Sequence, residues 1–317
     1  MKTNYKYLQD STFLSMVDTL QIKEQYVKIT VLDWLEQPIQ EVQGLVTGGN
    51  GNLDGKSAMR RSCNLQAFIP NEELSNITNV NNLFSINKKI YLEIGFKNTT
   101  EYYKEYPILW YPQGLYIITN PSINHSASGV NLSLQLKDKM CLLNGDCGGK
   151  IAASTQFDEY ETIDENGDFV IMKPTIVQII REAVNHFGGE QLGKIIISDL
   201  DTKVKMAMRW IGNTPLYLIN ENGSYTMTTN YNDAKGKAYT MYEYGDDVGF
   251  IFTDFTYPSE LIENAGSSVV TVLDKIKGTL GNYEYFYDVH GNFVWQEIKN
   301  YLNTTQATVD LQKLNNE

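Results

Sequence analysis

The stretch VQGLVTGGNGNLDGKSAMRRSCNLQAFI, residues 42–69, decides how the rest of the chain is organised. Two extended runs are separated by a loop with four glycines between Gly48 and Gly55. In the second run, alternate side chains divide into a mostly apolar set and a mostly polar set, as in a β-strand with one buried face. The apolar set is Met59, Arg61, Cys63, Leu65, Ala67 and Ile69, and the polar set is Ala58, Arg60, Ser62, Asn64, Gln66 and Phe68. The stretch therefore predicts a long β-hairpin whose register is fixed by its buried face.

The segments around this hairpin predict more short strands. Alternating or β-branched runs indicate strands at 26–32, 89–96, 114–119 and 130–136, and a short helix at 13–20 capped by Asp10 or Ser11. Pro107 and Pro112 should limit regular structure in the aromatic segment before residue 114. Many short strands with turn signals between them favour an antiparallel barrel or sandwich over a parallel sheet.

The second half of the chain alternates helices with strands. The glycine-rich segment 144–149 predicts a domain boundary, and Asn166-Gly167 predicts a tight hairpin turn. Two helices are predicted, at 174–187 with Pro174 in its first position, and at 269–277 with Ser267 or Ser268 as cap and Gly278 after it. Strands are predicted at 194–198, 225–229 and 249–254, and a hairpin at 283–298 that turns at 290–292.

Length, charge and cysteine content restrict the class of protein. A chain of 317 residues predicts two or three domains, and 42% hydrophobic residues predict an ordinary core. A net charge of -12 argues against tight or sequence-specific binding to nucleic acid, which depends on clustered cations. Three cysteines, an odd number in a chain of this size, favour a reducing compartment over a disulfide scaffold. Because there is no signal peptide and no apolar run of 18 residues, we expect a soluble protein without a membrane span, made in the cytoplasm.

The loop GNGNLDGKS, residues 49–57, ends in Gly-Lys-Ser like a phosphate-binding loop. Such a loop needs four residues between its outer glycine and the Gly-Lys pair, whereas five separate Gly49 from Gly55, and Asn50 stands where the glycine is required. A strand, not a helix, is predicted after it, so no helix N-terminus supports an anion. A turn is therefore predicted, and no nucleotide cofactor.

Metal and catalytic patterns are also incomplete. Asp164, Asn166 and Asp168 alternate as calcium ligands do, but no Glu follows at the required distance, which favours a hairpin turn. The three histidines, His125, His186 and His290, have no metal-ligand spacing to each other or to a cysteine pair, and no G-x-S-x-G sequence is present. We therefore predict no catalytic, cofactor-binding or metal residues.

Two functional alternatives remain open on the residues alone. The acidic pairs Asp199/Asp201 and Asp246/Asp247 are candidate carboxylates for a cell-wall or glycan hydrolase. A β-sandwich module for a receptor or a sugar is the other alternative, with Tyr106, Trp110 and Tyr111 as its stacking platform.

Three segments together resemble the baseplate hub and tail-tip proteins of tailed bacteriophages. They are LDWLEQPIQEVQGLVTGGNGNLDGKSAMRRSCNL from residue 32, LQLKDKMCLLNGDCGG from residue 134, and LDKIKGTLGNYEYFYDVHGNFVWQEI from residue 273. In that family a ring-forming, tail-tube-like barrel carries a long hairpin, and later segments add α/β pieces. The resemblance touches much of the chain through loose patterns.

The resemblance implies a mainly β (α+β) protein without catalytic residues in its ring: an antiparallel tail-tube-like β-barrel with a long hairpin, plus a smaller α/β part. It also implies a homotrimer in the virion tail, between the tail tube and a central spike, that lines the DNA conduit. The expected divisions are an N-terminal arm at 1–24, the barrel at 25–145, an α/β middle domain at 146–260, and a helix plus β-hairpin at 261–317 that starts a second barrel-like domain. Hub proteins of this type usually have two complete barrels, so the chain is expected to be a short variant or the N-terminal part of a longer protein.

The polar set of the hairpin supplies the candidate interface. Arg60, Ser62, Asn64 and Gln66 are predicted to face a lumen or a neighbouring subunit, while Met59, Cys63 and Leu65 pack on the barrel core. An acidic lumen would let DNA slide without sticking, because repulsion prevents the multiple phosphate contacts that would hold the DNA.

Overall fold

A computed structural model describes residues 5–19, 24–75, 77, 79–197, 257 and 259–298, together with the backbone of short strands at 216–219, 225–228 and 239–240. The chain divides into two compact units. The described part of the first unit lies within residues 5–142 and includes 286–293, and that of the second lies within 143–285 and includes 294–298.

The first unit is a closed antiparallel barrel of six strands in the order β1-β2-β3-β6-β5-β4. The strands are β1 Gln25–Leu32, β2 Pro38–Leu53, β3 Arg61–Pro70, β4 Lys89–Lys97, β5 Ile108–His125 and β6 Gly129–Asp138. Strand β1 closes the barrel because it pairs with β2 on one side and with β4 on the other. The predicted mainly β (α+β) class, with an antiparallel barrel and a long hairpin, is confirmed.

The interior of the barrel is filled by aliphatic side chains from all six strands, as the alternation of apolar residues predicts. Its centre includes Val27, Ile29, Val42, Leu65, Ala67, Ile69, Ile90, Leu92, Ile118, Leu132 and Leu134. Burying each of the larger side chains contributes about 1.5–3 kcal/mol. A six-stranded barrel filled in this way is a core and contains no channel.

The hairpin β2–β3 differs from the prediction in its length. Strand β2 continues through three of the four glycines to Leu53, so the predicted loop shrinks to the turn at 54–60. At Gly49 the backbone has φ +127, and a Cβ there would lie 2.1 Å from the carbonyl oxygen of Asn64. Glycine therefore allows the two strands to stay paired where a side chain would force them apart.

Strand β5 begins at Ile108, six residues earlier than predicted. Pro112 does not break it because a bulge lies beside it: Glu93 pairs with Pro112 while Leu92 pairs with Gly114, which leaves Gln113 as the extra residue. A bulge is one of the positions where a strand accepts proline.

The N-terminal segment forms a 3-10 turn, Lys6–Gln9, and helix α1, Ser11–Val17. The Asp10 side chain accepts hydrogen bonds from the backbone N–H groups of Thr12 and Phe13, which confirms the predicted cap. Tyr7, Phe13 and Val17 form a cluster with Leu109 of β5. Two further one-turn helices, α2 Asn71–Leu74 and α3 Val80–Leu83, lie between β3 and β4, and a 3-10 turn, Lys139–Leu142, follows β6.

The second unit contains α4 Ile176–Glu182, continued by a π turn Ala183–Phe187, and α5 Val269–Leu280. Its strands are β7 Thr155–Gln156, β8 Tyr160–Ile163, β9 Phe169–Met172, β10 Ile195–Ile197, β11 Leu216–Ile219, β12 Tyr225–Thr228, β13 Tyr239–Thr240 and β14 Ile262–Glu263. A 3-10 turn, Leu192–Lys194, precedes β10. Strands β15 Tyr283–Tyr287 and β16 Phe293–Glu297 form the predicted C-terminal hairpin, whose tip at 286–293 is part of the first unit.

Both long helices differ from the prediction at one end. Thr175 caps α4 through a reciprocal pair of hydrogen bonds with Gln178, so Pro174 precedes the helix instead of starting it. Helix α5 is capped by Ser268 and continues past Gly278 to Leu280. The predicted strand at 249–254 and the segment 301–317 lie outside the described residues.

In the part of the chain that the structure describes, no helix has both the length and the apolar character needed to cross a membrane.

Replacing Tyr7 by Phe should destabilise the first unit. The buried Tyr7 hydroxyl donates to the carbonyl oxygen of Trp110 at 2.7 Å and accepts from its backbone N–H, and its loss leaves both backbone groups unpaired. We expect a fall of about 1–3 kcal/mol in the free energy of unfolding, measured by urea denaturation. Tyr102→Phe, at a residue with 62% exposure, is the control and should change stability little. Equal stability of the two variants would contradict this account of Tyr7.

Candidate assembly surface

Four neighbouring strands of the barrel, β2, β3, β6 and β5, present an outer face of uncharged polar side chains, here called the amide face. Three rows cross these strands in register: Asn50, Asn64, Gln135 and Asn120; then Gly48, Gln66, Ser133 and Ser122; then Leu45, Phe68, Asn131 and Asn124. A shorter row, Asn52 and Ser62, ends at Lys137 of β6. All the Asn, Gln and Ser side chains of this face are exposed except that of Ser62, which is half-buried.

Three of the four predicted interface residues belong to the amide face. Ser62, Asn64 and Gln66 occupy successive outward positions of β3, while Leu65 lies in the core and Cys63 packs against it. The alternation inferred from the sequence is therefore right for the strand itself. Met59, predicted to pack on the core, lies in the turn before β3 and is half-buried there.

Sequence reasoning missed the other half of the amide face. Asn131, Ser133 and Gln135 were visible as the polar alternates of VNLSLQL, but nothing local indicates that β6 lies beside β3. The continuation of β5 through Asn120, Ser122 and Asn124 was not predicted, because a bulge between Ile118 and Asn120 shifts the alternation by one residue.

The chemistry of the amide face follows from its side chains. Each amide or hydroxyl both donates and accepts hydrogen bonds, as Asn64 does when its Nδ2 donates to Oδ1 of Asn50 across the strands at 3.1 Å. Of the fifteen positions in the four rows, only Lys137 is charged, in a chain that is 20% charged overall. Such a face holds water, and it offers no cluster of cations to bind phosphates.

Arg60 is placed differently from the other three candidates. It lies in the turn before β3, half-buried, and its guanidinium stacks over the ring of Phe286 at 3.5 Å from the centroid. A cation over an aromatic ring contributes about 0.5–2 kcal/mol. Charge reversal at Arg60 would remove this contact within the unit, so the exposed Asn64 and Gln66 are the better positions for testing the role of the outer face alone.

One end of the barrel is closed by the tip of the β15–β16 hairpin, and Arg61 holds the tip in place. Its Nη2 donates to the backbone carbonyls of Tyr287 at 3.0 Å and Asp288 at 2.6 Å. Gly114 makes room for this side chain, since a Cβ there would lie 2.1 Å from the Arg61 guanidinium. The buried Asp138 carboxylate accepts from the backbone N–H of Arg61 at 3.0 Å. Burial raises the pKa of Asp138. The positive charge of Arg61 and the backbone N–H groups that donate to the carboxylate act in the opposite direction and make this increase smaller.

A buried ion pair lies at the same end. The Lys139 ammonium contacts Oε1 of Glu36 at 2.5 Å and donates to the carbonyl of Gly291 at 2.9 Å. Lys89 contacts the same carboxylate oxygen at 3.1 Å. The side chains of Glu36 and Lys139 are 4% and 1% exposed, so each charge depends on the other for compensation.

The turn predicted in place of a phosphate-binding loop is present. Residues 54–60 join two paired strands, and Asp54 accepts from the backbone N–H of Lys56 through its side chain. Likewise the Asp164 carboxylate accepts from the backbone of Asn166 and Asp168 in the β8–β9 turn, which lowers its pKa. Both turns are closed by their own backbone.

Among the described residues, neither metal-binding side chains nor cysteines form a further candidate functional site. No group of three or more His, Cys, Asp or Glu side chains there could hold a metal ion. Cys63, Cys141 and Cys147 form no disulfide bonds. Of the histidines, His186 lies 3.8 Å from Glu182 on the helix surface, and His125 lies 3.2 Å from Oδ1 of Asn81.

The structure describes the residues predicted for a receptor- or sugar-binding module but not those predicted for a hydrolase. Trp110 is 8% exposed, and Tyr106 and Tyr111 pack around the buried Tyr7, so these rings belong to the N-terminal aromatic cluster instead of an exposed platform. The candidate hydrolase carboxylates at 199, 201, 246 and 247 lie outside the described residues.

Comparison with known proteins gives a likeness among solved structures. No family model and no curated protein matches the chain. The chain is similar to the crystal structure of a 43 kDa tail protein of prophage MuSo2 from Shewanella oneidensis, with 11% sequence identity and a TM-score of 0.40. The likeness covers 88% of this chain and 57% of that chain. At this TM-score it establishes neither the fold nor the function.

Replacing Glu36 by Gln should destabilise the closed end of the barrel. The change leaves the Lys139 ammonium buried without a carboxylate, which typically costs about 3–5 kcal/mol. We expect a lower urea midpoint, with the exposed Glu41→Gln as a control that changes little. If the free energy of unfolding of Glu36→Gln differs from that of the unsubstituted chain by less than about 1 kcal/mol, the loss is no larger than that of an exposed ion pair. That result would show that the buried ion pair is not needed for stability.

Proposed function

We propose that the chain is a structural component of a bacteriophage baseplate hub or tail tip. Three copies form a ring that joins the tail tube to a central spike, and the ring lines the DNA conduit. The protein has a scaffold role in the virion tail and carries out no catalysis there. Its partners are copies of itself, the tail tube, other baseplate proteins and the spike.

The observation that carries the proposal is the amide face on a closed barrel. The segments that resemble hub proteins imply a barrel with a long hairpin, and the first unit has both, with a 16-residue β2 paired to β3. The barrel interior is filled, so a conduit can only run between subunits, along an outer face. The amide face is the outer surface that we assign to the lumen.

An uncharged, hydrated lining suits the passage of DNA. A protein that neutralises phosphates with Lys or Arg gains affinity steeply with each contact, and several contacts hold the DNA in place. The eleven Asn, Gln and Ser side chains of the amide face make no such contacts, and the net charge of -12 repels phosphate at longer range. DNA would then slide on a water layer without being retained.

Native mass spectrometry of the purified protein and electron microscopy of labelled tail particles test the proposal. We expect a trimer in solution and label at the tip of the tail, because a ring around a conduit needs several copies of the chain. A chain that stays monomeric and never joins a tail particle would overturn the proposed role.

Adding cations to the amide face should slow DNA release. Asn64 and Gln135 are adjacent, exposed positions of β3 and β6, and lysines at both would give each subunit two phosphate contacts. We expect particles with Asn64→Lys and Gln135→Lys to assemble normally but to release DNA several-fold more slowly, and the delay should shrink as salt rises.

The matched control places two lysines at Ala152 and Ser154, which are exposed in the second unit. These particles should release DNA at the unsubstituted rate. If both double variants release DNA at that rate, the amide face does not line the conduit.

A further inference from the structure

The first unit exposes a group of apolar side chains beside the closed end of the barrel. Trp34 is 75% exposed, and Leu35, Ile39 and Ile86 are 40%, 55% and 59% exposed. Trp34 and Leu35 belong to the turn at 33–37 between β1 and β2, called here the Trp34 turn. Lys89 connects this turn to β4, since its Nζ donates to the Trp34 carbonyl at 3.1 Å.

The Trp34 turn is held in a fixed conformation. The backbone N–H of Asp33 donates to the Gln37 carbonyl at 2.9 Å, and the Asp33 side chain accepts from the Gln37 N–H at 2.8 Å. Glu36 has φ +65, a region that non-glycine residues rarely adopt, and its buried carboxylate is held by Lys139 and Lys89. A rigid turn that presents an exposed Trp is the kind of anchor that dominates protein interfaces.

The second unit exposes another apolar group on the two-stranded sheet β8–β9. Side chains of both faces are exposed: Tyr160 51% and Met172 47% on one face, and Ile163 59%, Phe169 79% and Ile171 62% on the other. An isolated two-stranded hairpin is marginally stable in water. Apolar residues on both of its faces are expected where the hairpin is covered in an assembly.

Charges of both signs border each group, with Asp33 in the Trp34 turn and the exposed Lys173 directly after Met172 of β9, but anions outnumber cations on β8–β9. Lys88 stands beside the apolar group of the Trp34 turn, next to Lys89. On β8–β9, Glu161 and Asp168 are exposed next to the apolar side chains, and the Asp164 carboxylate of its turn is stabilised in the ionised form by backbone N–H donors. Approach of the two groups therefore brings Lys88 towards the excess of anions on β8–β9, in chains whose net charge is -12.

We propose that the Trp34 turn of one copy packs against the β8–β9 hairpin of the next copy. This inference rests on the proposed function, in which copies form a ring. Closing a ring requires a heterologous contact, made between two different patches of the same chain. Each group contains at least four large apolar side chains that are 40–79% exposed, and clusters of exposed apolar side chains mark interaction sites. The contact is repeated once per subunit, so closure adds to the strength of each interface.

Charge substitution at each patch tests the contact. Trp34→Glu and Phe169→Glu change strongly exposed residues, so both chains should fold, as circular dichroism and urea midpoints will show. Native mass spectrometry should find each single variant mainly monomeric at a concentration where the unsubstituted chain is a ring. Leu192→Glu, at an exposed residue outside both groups, is the control and should leave the ring intact.

Mixing the two single variants gives a stricter test. A Phe169→Glu chain retains its Trp34 turn and a Trp34→Glu chain retains its hairpin, so one such contact forms, and neither chain can extend it. We expect heterodimers and no larger species when the two are mixed at tenfold higher concentration. The two masses differ, so the composition of the dimer is read directly.

The outcomes separate this inference from the proposed function. Rings that persist in either single variant, or a mixture that stays monomeric, overturn the contact while the ring stands. If a variant loses its fold, Trp34→Ser and Ile171→Ser replace the charged variants, and the same outcomes decide. An unsubstituted chain that is monomeric overturns the ring and this contact together.

Discussion

Closure of the barrel by the β1–β4 ladder is the constraint on which the first unit depends. Eight consecutive residue pairs, from Gln25 with Phe96 to Leu32 with Lys89, join the two strands. Without this ladder both strands would be edges with unpaired backbone groups. Once the barrel closes, every second side chain must enter an interior just large enough to be filled, and the remaining side chains must face outwards.

The outward side chains then divide into a covered half and an open half. On β1 and β4, Lys28 and Glu93 form a cross-strand pair at 2.7 Å that is almost fully buried. The N-terminal segment covers it, with the Tyr5 hydroxyl accepting from Lys28. Burial and the nearby Glu93 carboxylate raise the pKa of Tyr5, so its phenol stays neutral. On β2, β3, β6 and the second part of β5, from Asn120 to Asn124, most outward side chains remain open to water and form the amide face.

This division places most charges where they are compensated and leaves Lys137 as the one charged residue in the four rows of the open face. Beneath the N-terminal segment the buried Lys28 and Glu93 lie 2.7 Å apart, and at the closed end of the barrel the buried Glu36 lies within 3.1 Å of both Lys89 and Lys139. A charge on the open face would either bind phosphates or repel a neighbouring copy. Asn, Gln and Ser avoid both effects, which is consistent with a surface that must lie close to other molecules without holding them.

Much of the fold could be predicted from the sequence because it depends on patterns of residues that are close together in the chain. Alternation located β1, β4 and β6, Asp10 and Ser268 identified helix caps, and Asn166-Gly167 identified a turn. The candidate site was only half predictable. The outward positions of Ser62, Asn64 and Gln66 follow from alternation within β3. Their neighbours in β6 and β5 could not be predicted in this way, because they are set by which strands pair and by a bulge at Thr119. Pairing of Glu36 with Lys139, 103 residues away, has no local signal at all.

Glu36 connects the stability of the barrel to the surface that we assign to assembly. Its left-handed backbone conformation costs about 1–3 kcal/mol and persists only where surrounding contacts determine it. Those contacts are the two lysines, which also close the end of the barrel. The same conformation turns the chain so that Trp34 and Leu35 point outwards while the carboxylate between the two lysines points inwards. A barrel end that loosened would therefore lose the geometry of the Trp34 turn as well, and only a properly closed subunit would present its apolar anchor to the next copy.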